Sequence, residues 1–209
     1  MDISHQVASK LLDSGAVKIQ PEKPFIWASG WKSPIYCDNR LTLSYPEVRT
    51  FLKNALLDLV KSKFADVEAI AGVATAGIPQ GVLIADAMNL PFLYVRSSPK
   101  EHGLENMIEG KANSGAKMVV VEDLISTGGS SLKAALALKD AGYQILGLVA
   151  IFTYGFDLAD KSFAQANIPF YTLSNYSSLL DLLKTQGKID EKQLSFLQKW
   201  KNSPETWGK

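Results

Sequence analysis

The sequence has few of the features that mark disulfide-bonded, membrane or nucleic-acid-binding proteins. Cys37 is its only cysteine, which excludes an intrachain disulfide and predicts a reducing compartment. No stretch approaches the roughly 20 apolar residues that a membrane span needs, so we expect no membrane partner. The formal net charge of +1 gives no basic excess for non-specific binding of DNA or RNA, so we expect no nucleic-acid partner.

The first residues also lack an export signal. The chain begins Met-Asp-Ile-Ser-His-Gln, without the basic start and apolar run of a signal peptide, which predicts a cytoplasmic protein. A composition of 46% hydrophobic and 21% charged residues is typical of a globular protein. The length of 209 residues suits a single α/β domain, which we place at 1–209.

Two common nucleotide-binding motifs are absent, and a different phosphate-binding pattern is present. There is no Gly-x-x-x-x-Gly-Lys-Ser/Thr and no Gly-x-Gly-x-x-Gly, which excludes a P-loop and a dinucleotide fingerprint. Residues 119–130 instead read Val-Val-Val-Glu-Asp-Leu-Ile-Ser-Thr-Gly-Gly-Ser. The β-branched run predicts a strand buried on both faces, and the Gly/Ser/Thr loop leads into a strong helix former.

This loop predicts a site for a phosphorylated ribose. A Gly/Ser/Thr loop that enters a helix N-terminus directs several backbone N–H groups at one point, where a phosphate monoester can bind. Glu122 and Asp123, just upstream, can hold ribose hydroxyls or a metal ion. The alternative is an ordinary turn with a polar helix cap. We favour the binding site because two carboxylates at the end of a buried strand need a reason to stay charged.

Strand and helix patterns alternate along most of the chain. Ser4 is the expected N-cap of a first helix that ends at Gly15, and Pro46 the expected start of a second. Residues 16–40 mix short apolar pieces with turn formers, which predicts a small irregular β hood. The other predicted strands are 69–73, 92–95, 117–122, 145–152 and 170–173, and the other predicted helices are 79–88, 130–141, 156–166, 177–185 and 190–201. This alternation predicts a parallel sheet with helices on both faces, which binds ligands beyond the carboxyl ends of its strands.

Two more strand-end loops carry candidate binding residues. Thr75 and Ala76 lie in Ala-Thr-Ala-Gly-Ile-Pro, where small residues let pyrophosphate oxygens approach backbone N–H groups; a tight turn is the alternative. Arg96, Lys100 and His102 follow the strand 92–95 and offer donors suited to a polyanion. The long stretch after them has no clear periodicity, which is typical of a lid or of disorder, and a solvated charged loop is the alternative.

Residues 119–130 resemble the diphosphoribosyl-binding signature of the type I phosphoribosyltransferases, and three further segments narrow the likeness. Residues 28–40 resemble the ribbon around the nucleobase in orotate phosphoribosyltransferases. Residues 72–79 are similar to the pyrophosphate loop of that family, and 94–103 to its lid. The four segments occur in the family's order, so the resemblance covers nearly the whole chain.

That resemblance implies a fold, a reaction and an assembly. The fold is α/β: a parallel-sheet type I phosphoribosyltransferase core at about 46–173, with helices on both faces and a small N-terminal hood, mainly 16–40 plus C-terminal elements. The reaction transfers ribose 5-phosphate from phosphoribosyl diphosphate to N1 of orotate, giving orotidine 5'-phosphate and pyrophosphate in UMP biosynthesis. Mg²⁺ is the implied cofactor, held mainly by substrate oxygens, with Glu122 and Asp123 as the nearest protein candidates. A homodimer is implied, in which the lid completes the neighbouring site.

The resemblance also assigns roles to individual residues. Lys100, His102 and Asp123 are the expected catalytic residues. Ser126 and Tyr36 are the expected orotate contacts, with core packing as the alternative for Tyr36. The residues expected to bind phosphoribosyl diphosphate are Thr75, Ala76, Arg96, Lys100, His102, Glu122, Asp123, Leu124, Ile125, Ser126, Thr127, Gly128, Gly129 and Ser130.

The chain departs from the family pattern at positions that would contact substrate. Many members carry a lysine where this chain has Ser97, and some carry a lysine at Ala28, a Tyr-Lys pair at Thr75–Ala76 and an arginine near Tyr154. These departures leave open which residues hold the orotate carboxylate. The alternative functions are a type I phosphoribosyltransferase that acts on a purine or uracil, and a non-catalytic sensor of phosphoribosyl diphosphate or RNA.

Overall fold

The structure is a computed structural model that describes residues 2–27, 30–98 and 107–207. The strands in these ranges are β1 (Val17–Ile19), β2 (Phe25–Ile26), β3 (Lys32–Ser33), β4 (Ile35–Cys37), β5 (Ala69–Val73), β6 (Phe92–Val95), β7 (Ile108–Glu109), β8 (Lys117–Ile125), β9 (Gln144–Thr153) and β10 (Phe170–Asn175). The α-helices are α1 (Ile3–Asp13), α2 (Pro46–Lys63), α3 (Gly77–Met88), α4 (Gly129–Asp140), α5 (Asp157–Gln165), α6 (Tyr176–Thr185) and α7 (Glu191–Asn202), and a 3₁₀ helix spans Asn39–Ser44. None of the helices in the described ranges is long and apolar enough to cross a membrane.

A largely parallel sheet forms the centre of the fold. Its strand order is β10–β9–β8–β5–β6–β7, and each neighbouring pair is parallel except β6 with β7. Helices α3, α4 and α5 connect β5 to β6, β8 to β9 and β9 to β10. The loops after β5, β6, β8 and β9 therefore open at one edge of the sheet, where ligands bind in such folds. The predicted α/β class is confirmed.

Strand β8 runs through the middle of the core. Val119 and Val121 pack into the hydrophobic cluster on one face of the sheet, and Met118 and Val120 into the cluster on the other. None of these four side chains has exposed surface. The β-branched run thus forms a strand buried on both faces, as its sequence predicts.

The predicted elements occur, but several of their ends differ. Asp2 caps α1, because its side chain accepts the His5 N–H at 2.9 Å, so the prediction of Ser4 as the N-cap is wrong. Asp and Ser both serve as N-caps, and Asp2 lies only two residues before Ser4. Helix α3 begins at Gly77 rather than at the predicted Pro79. The two-residue strand β7 was not predicted, because so short an element leaves no periodic pattern.

An aromatic cluster joins the hood to the C-terminal helix. The hood consists of two antiparallel pairs, β1 with β4 and β2 with β3. The Trp200 ring on α7 lies 5.7 Å from the rings of Trp27 and Tyr154 and 5.6 Å from that of Phe156, between centroids. Its indole N–H donates to the backbone carbonyl of Lys32 at 3.1 Å. Helix α7 and the hood therefore pack as one unit.

Truncation of Trp200 tests whether this cluster stabilises the fold. Trp200→Ala removes a fully buried ring and a hydrogen-bond donor, so we expect the free energy of unfolding to fall by about 3–5 kcal/mol. The control is Phe196→Ala on the same helix, where the side chain is 37% exposed, and we expect a loss of about 1 kcal/mol or less. Urea denaturation measures both losses, and equal losses would contradict the role given to Trp200.

Candidate active site

The acidic pair lies inside strand β8 and not beyond its end. The strand continues to Ile125, three residues past its predicted end at Glu122, because β9 pairs with it as far as Ile125 opposite Thr153. The other neighbour, β5, pairs with β8 only up to Val121. Glu122 and Asp123 therefore stand where β8 has lost one of its two strand partners, and their side chains alternate across the strand.

Glu122 is a buried carboxyl with protein donors on both oxygens. It is 6% exposed, and it accepts the Asp123 N–H and the Ser131 hydroxyl, each at 3.1 Å. Burial raises the pKa of Glu122 well above its ordinary value, and the neighbouring Asp123 charge raises it further. Ser131 lies in the first turn of α4, so Glu122 connects the strand to the helix that follows the predicted phosphate loop.

Asp123 is half-buried beside Glu122, and a residue of the hood also holds it in place. Burial raises its pKa, while hydrogen bonds from Glu122 and from the backbone oppose that rise. The side-chain N–H of Asn39 donates to the backbone carbonyl of Asp123 at 2.7 Å. Because Glu122 accepts the backbone N–H of Asp123, the two neighbouring acidic residues are linked, and we call them the acidic dyad.

The loop from Ser126 to Ser130 delivers an open helix N-terminus to the same edge. Gly128 precedes α4 with a φ of 79°, and no side chain caps the helix. A Cβ at Gly128 would lie 2.8 Å from the Phe163 ring, so the loop also packs too closely for a larger residue. The N–H groups of the first turn have no intrahelical acceptor, which leaves them available to an anion.

The loop after β5 brings a second open helix N-terminus beside the dyad. Ala76 occupies the N-cap position of α3 without a side-chain hydrogen bond to the helix. The peptide bond between Ala74 and Thr75 is cis. A Cβ on Gly77 would collide with the carbonyl oxygen of Val121, so this loop lies directly against β8 at the residue before the dyad. Thr75 and Ala76 therefore lie in the loop that meets β8 beside the dyad, and their role in binding stays a prediction.

Of the predicted lid residues, the structure describes only Arg96. Its backbone N–H donates to the Met107 carbonyl at 2.8 Å, and its guanidinium lies 3.6 Å from the Glu109 carboxylate. The adjoining Ser97 carbonyl accepts from Lys133 of α4 at 3.5 Å, which brings this segment close to the helix after the phosphate loop. The predicted catalytic residues Lys100 and His102 lie outside the described residues, and their roles stay predictions.

A cavity of about 350 Å³ between the hood and the strand ends contains both predicted orotate contacts. Its lining residues are Ile26, Trp27, Tyr36, Cys37, Leu124, Ser126 and Tyr154. Tyr36 is 39% exposed and its ring packs against that of Phe25, with centroids 5.5 Å apart. It is therefore not a core residue. The predicted residues Leu124 and Ser126 form the wall nearest to the dyad. Within the ranges that the structure describes, no cationic side chain lines this cavity.

Two residues at the site were not given a role by the sequence. Tyr154 follows β9 and is 2% exposed, with its ring 4.9 Å from that of Trp27 across the cavity wall. Burial raises the pKa of its phenol well above the ordinary value, so the group is a neutral hydroxyl. The other is Asn39, whose contact with Asp123 joins positions far apart in the chain. In the sequence, the only indication of this role was a single asparagine in the hood segment before the second predicted helix.

The oxygen donors at the edge suit a Mg²⁺ ion that is held mainly by substrate. In the ranges that the structure describes, no group of three or more His, Cys, Asp or Glu side chains is placed to hold a metal ion. Both Glu122 oxygens already accept hydrogen bonds, which leaves Asp123 as the better candidate ligand. A hard cation that keeps water and substrate oxygens in most of its coordination sphere fits this donor set.

Known proteins share this arrangement over nearly the full chain. Residues 43–168 match the protein family described as the phosphoribosyl transferase domain. The chain is 54% identical over 209 residues to the orotate phosphoribosyltransferase of Cytophaga hutchinsonii, covering 100% of both chains. It is 56% identical over 200 residues to that of Bacteroides fragilis, covering 96% of this chain and 94% of the relative. The crystal structure of orotate phosphoribosyltransferase from Aeropyrum pernix is similar with a TM-score of 0.77 and 27% identity, covering 88% of this chain and 99% of that one. The chain therefore belongs to the orotate phosphoribosyltransferases.

Proposed function

We propose that this chain transfers ribose 5-phosphate from phosphoribosyl diphosphate to N1 of orotate, giving orotidine 5'-phosphate and pyrophosphate in pyrimidine biosynthesis. The observation that carries the proposal is the arrangement at the sheet edge. Two helix N-termini without side-chain caps, those of α3 and α4, flank the buried acidic dyad. The donor substrate has matching groups: a 5'-phosphate, a diphosphate and two ribose hydroxyls between them.

The 5'-phosphate is assigned to the loop from Ser126 to Ser130. The first-turn N–H groups of α4 lie at the end of this loop, the hydroxyl side chains of the loop can add hydrogen bonds, and the helix dipole favours a negative charge. Gly128 gives the loop its left-handed turn, which brings the backbone close to the ligand. This holds the ribose by its phosphate, beside the dyad.

The pyrophosphate is assigned to the open N-terminus of α3 and to the cations of the lid. Cleavage of the bond between C1 and the diphosphate makes the ribose cationic while negative charge builds on the leaving group. Backbone N–H groups near Thr75 and Ala76, together with Arg96, are fixed close to where that charge grows. Lys100 and His102 are proposed to complete this cluster and to exclude water.

The dyad is proposed to hold the 2'- and 3'-hydroxyls of the ribose. Carboxylates accept hydrogen bonds from hydroxyl groups, and Glu122 and Asp123 lie between the two anion sites. Mg²⁺, when bound with the substrate, would supply positive charge to the diphosphate and ribose oxygens, and Asp123 is the residue that would hold it from the protein side. Orotate is assigned to the cavity between Tyr36 and Ser126, beside the ribose position.

Two further proposals concern the protein in its setting. The lid is proposed to complete the site of a neighbouring subunit in a homodimer, which the family resemblance implies. A cytoplasmic location is proposed from the lone cysteine.

The activity is tested by the absorbance of orotate. We expect the ultraviolet absorbance of orotate to fall when protein, Mg²⁺ and phosphoribosyl diphosphate are mixed, because addition at N1 converts the free base into orotidine 5'-phosphate. A panel containing adenine, guanine, hypoxanthine and uracil is the control, and we expect at least 10²-fold lower turnover with each. Consumption of a different base would favour the other phosphoribosyltransferase, and binding of phosphoribosyl diphosphate without any turnover would favour the sensor.

Loss of the Asp123 charge should weaken the ribose site without unfolding the protein. For Asp123→Asn we expect kcat/KM for phosphoribosyl diphosphate to fall by roughly 10²-fold, since an amide is a weaker acceptor for hydroxyls and a poor Mg²⁺ ligand. The control is Asp86→Asn, which removes an exposed carboxylate from α3 far along the helix. Steady-state kinetics with a melting curve measure both effects. Unchanged kinetics in Asp123→Asn would contradict the assignment of the dyad.

Neutralising Glu122 should stabilise the free protein while it harms function. A carboxyl whose pKa is raised by folding favours the native state fully at pH below its unfolded pKa, and this contribution is lost as pH rises through the folded pKa. Glutamine can accept the Asp123 N–H and donate to the Ser131 hydroxyl, so Glu122→Gln keeps both contacts. At neutral pH we expect it to raise the free energy of unfolding by about 1 kcal/mol, with the gain vanishing in acid.

The matched control for this change is Glu68→Gln. Glu68 also accepts a backbone N–H, that of Lys117 at 2.9 Å, but it is exposed to solvent. We expect no stability gain at neutral pH from Glu68→Gln. Urea denaturation between pH 4 and pH 8 separates the two, and a neutral or destabilising effect of Glu122→Gln at pH 7 would contradict the buried charge.

A further inference from the structure

We propose that Asn39 is a positioning residue that fixes the backbone of Asp123, and through it the carboxylate that meets the ribose. The inference rests on the proposed function, since it takes the dyad as the ribose site. Asn39 lies at the start of the 3₁₀ helix that follows β4, 84 residues before Asp123 in the sequence. Asn39 does not line the cavity between the hood and the strand ends to which orotate is assigned, here called the nucleobase cavity. It is also distinct from the residues proposed to touch substrate.

Asn39 is held rigidly by contacts on three sides. Its side-chain N–H donates to the Asp123 carbonyl at 2.7 Å, while its side-chain oxygen accepts the Cys37 thiol at 3.3 Å. Its own backbone carbonyl accepts the Thr42 hydroxyl at 2.6 Å. The residue is 1% exposed, so water cannot replace these partners. Burial raises the pKa of the Cys37 thiol well above its ordinary value, which keeps it a neutral donor.

The contact lies at the point where β8 needs support. Strand β5 pairs with β8 only as far as Val121, so the segment with the dyad has one strand neighbour instead of two. The Asn39 side-chain amide donates a hydrogen bond to a backbone carbonyl in this segment, in the way that the N–H of a neighbouring strand would. A buried carbonyl without a partner is unfavourable, so we expect the strand to shift towards another donor when Asn39 is removed. Because the Asp123 carboxylate is carried by that backbone, its direction would change too.

The same residue joins the dyad to the nucleobase cavity. Cys37 lines that cavity and contacts Asn39, which in turn contacts Asp123. The distance between the two binding regions thus depends on hydrogen bonds and packing in this hood segment as well as on the chain from Asp123 to Ser126, which forms the nearest wall of the cavity. In a reaction that joins a ribose carbon to a base nitrogen, this spacing decides how closely the two atoms approach.

The test is a double-mutant cycle with Asp123. Asn39→Leu removes the donor at similar size, and we expect it to lower kcat/KM for phosphoribosyl diphosphate by about 10-fold or more. If Asn39 acts through the Asp123 carboxylate, the double variant Asn39→Leu with Asp123→Asn will be no worse than Asp123→Asn alone. Independent contributions would multiply instead. A multiplied loss, or wild-type kinetics in Asn39→Leu, would overturn the proposal.

A matched control separates positioning from stability. Ser33→Ala removes another buried hydrogen bond of the hood, from the Ser33 hydroxyl to the Ile35 carbonyl at 2.7 Å, without contact to the dyad. We expect a similar fall in melting temperature in Ser33→Ala and Asn39→Leu, with the kinetic loss confined to Asn39→Leu. An equal kinetic loss in both would assign Asn39 a purely structural role. If Asn39→Leu does not fold, the smaller and still polar Asn39→Ser is measured in the same cycle.

Calorimetric titration with Mg²⁺ and phosphoribosyl diphosphate keeps this test separate from that of the activity. The same four proteins of the cycle are titrated without any base, and we expect the affinity losses to be non-additive as well. Absence of orotate turnover in the wild type would count against the proposed function only. Additive losses of phosphoribosyl-diphosphate affinity would count against the role of Asn39 only.

Discussion

The structure depends on an acidic pair, Glu122 and Asp123, at the carboxyl end of the central strand. Burial of charge is costly, and it is tolerated at the buried Glu122 carboxyl because that group accepts two hydrogen bonds, while the half-buried Asp123 is held through its backbone carbonyl by Asn39. Each contact comes from a different element: the strand itself, helix α4 and the hood. Strand β8, helix α4 and the hood are therefore held together at this edge of the sheet by their contacts with the dyad.

The surroundings of the dyad explain why it suits a sugar phosphate. Helices α3 and α4 start at neighbouring strand ends, and neither has a side-chain cap. The first turn of α4 can present its N–H groups to an anion, whereas in α3 Pro79 has no N–H and the Ile78 N–H donates to the Thr75 carbonyl, so only the very start of that helix at Gly77 is suited to an anion. Gly77 permits direct contact of the first helix start with β8, and Gly128 gives the turn into the second. Anion sites on either side of an acidic pair form a row, which is also the order of groups along phosphoribosyl diphosphate.

The hood contributes more than a cover. Trp200 of α7 packs into its aromatic cluster, while Asn39 reaches from its last segment to the dyad. A change in hood packing can therefore reach the ribose site through a chain of direct contacts. Tyr154, near which some family members carry an arginine, belongs to the same aromatic wall and is buried as a neutral phenol. Among the described residues, aromatic rings thus line the cavity on the side where a cation was a candidate.

By itself, the sequence determined the fold class and the alternation of strands and helices along the chain. It also predicted the chemistry of the phosphate loop. These follow from local patterns: β-branched runs for buried strands, periodic apolar residues for helices, and small residues where a backbone meets an anion. Only the tertiary structure decided that β8 extends past Asp123, that Asp2 rather than Ser4 caps the first helix, and that Asn39 and Tyr154 belong to the site. Those outcomes depend on pairing and packing between residues far apart in the chain, and such contacts leave no periodic signal in the sequence.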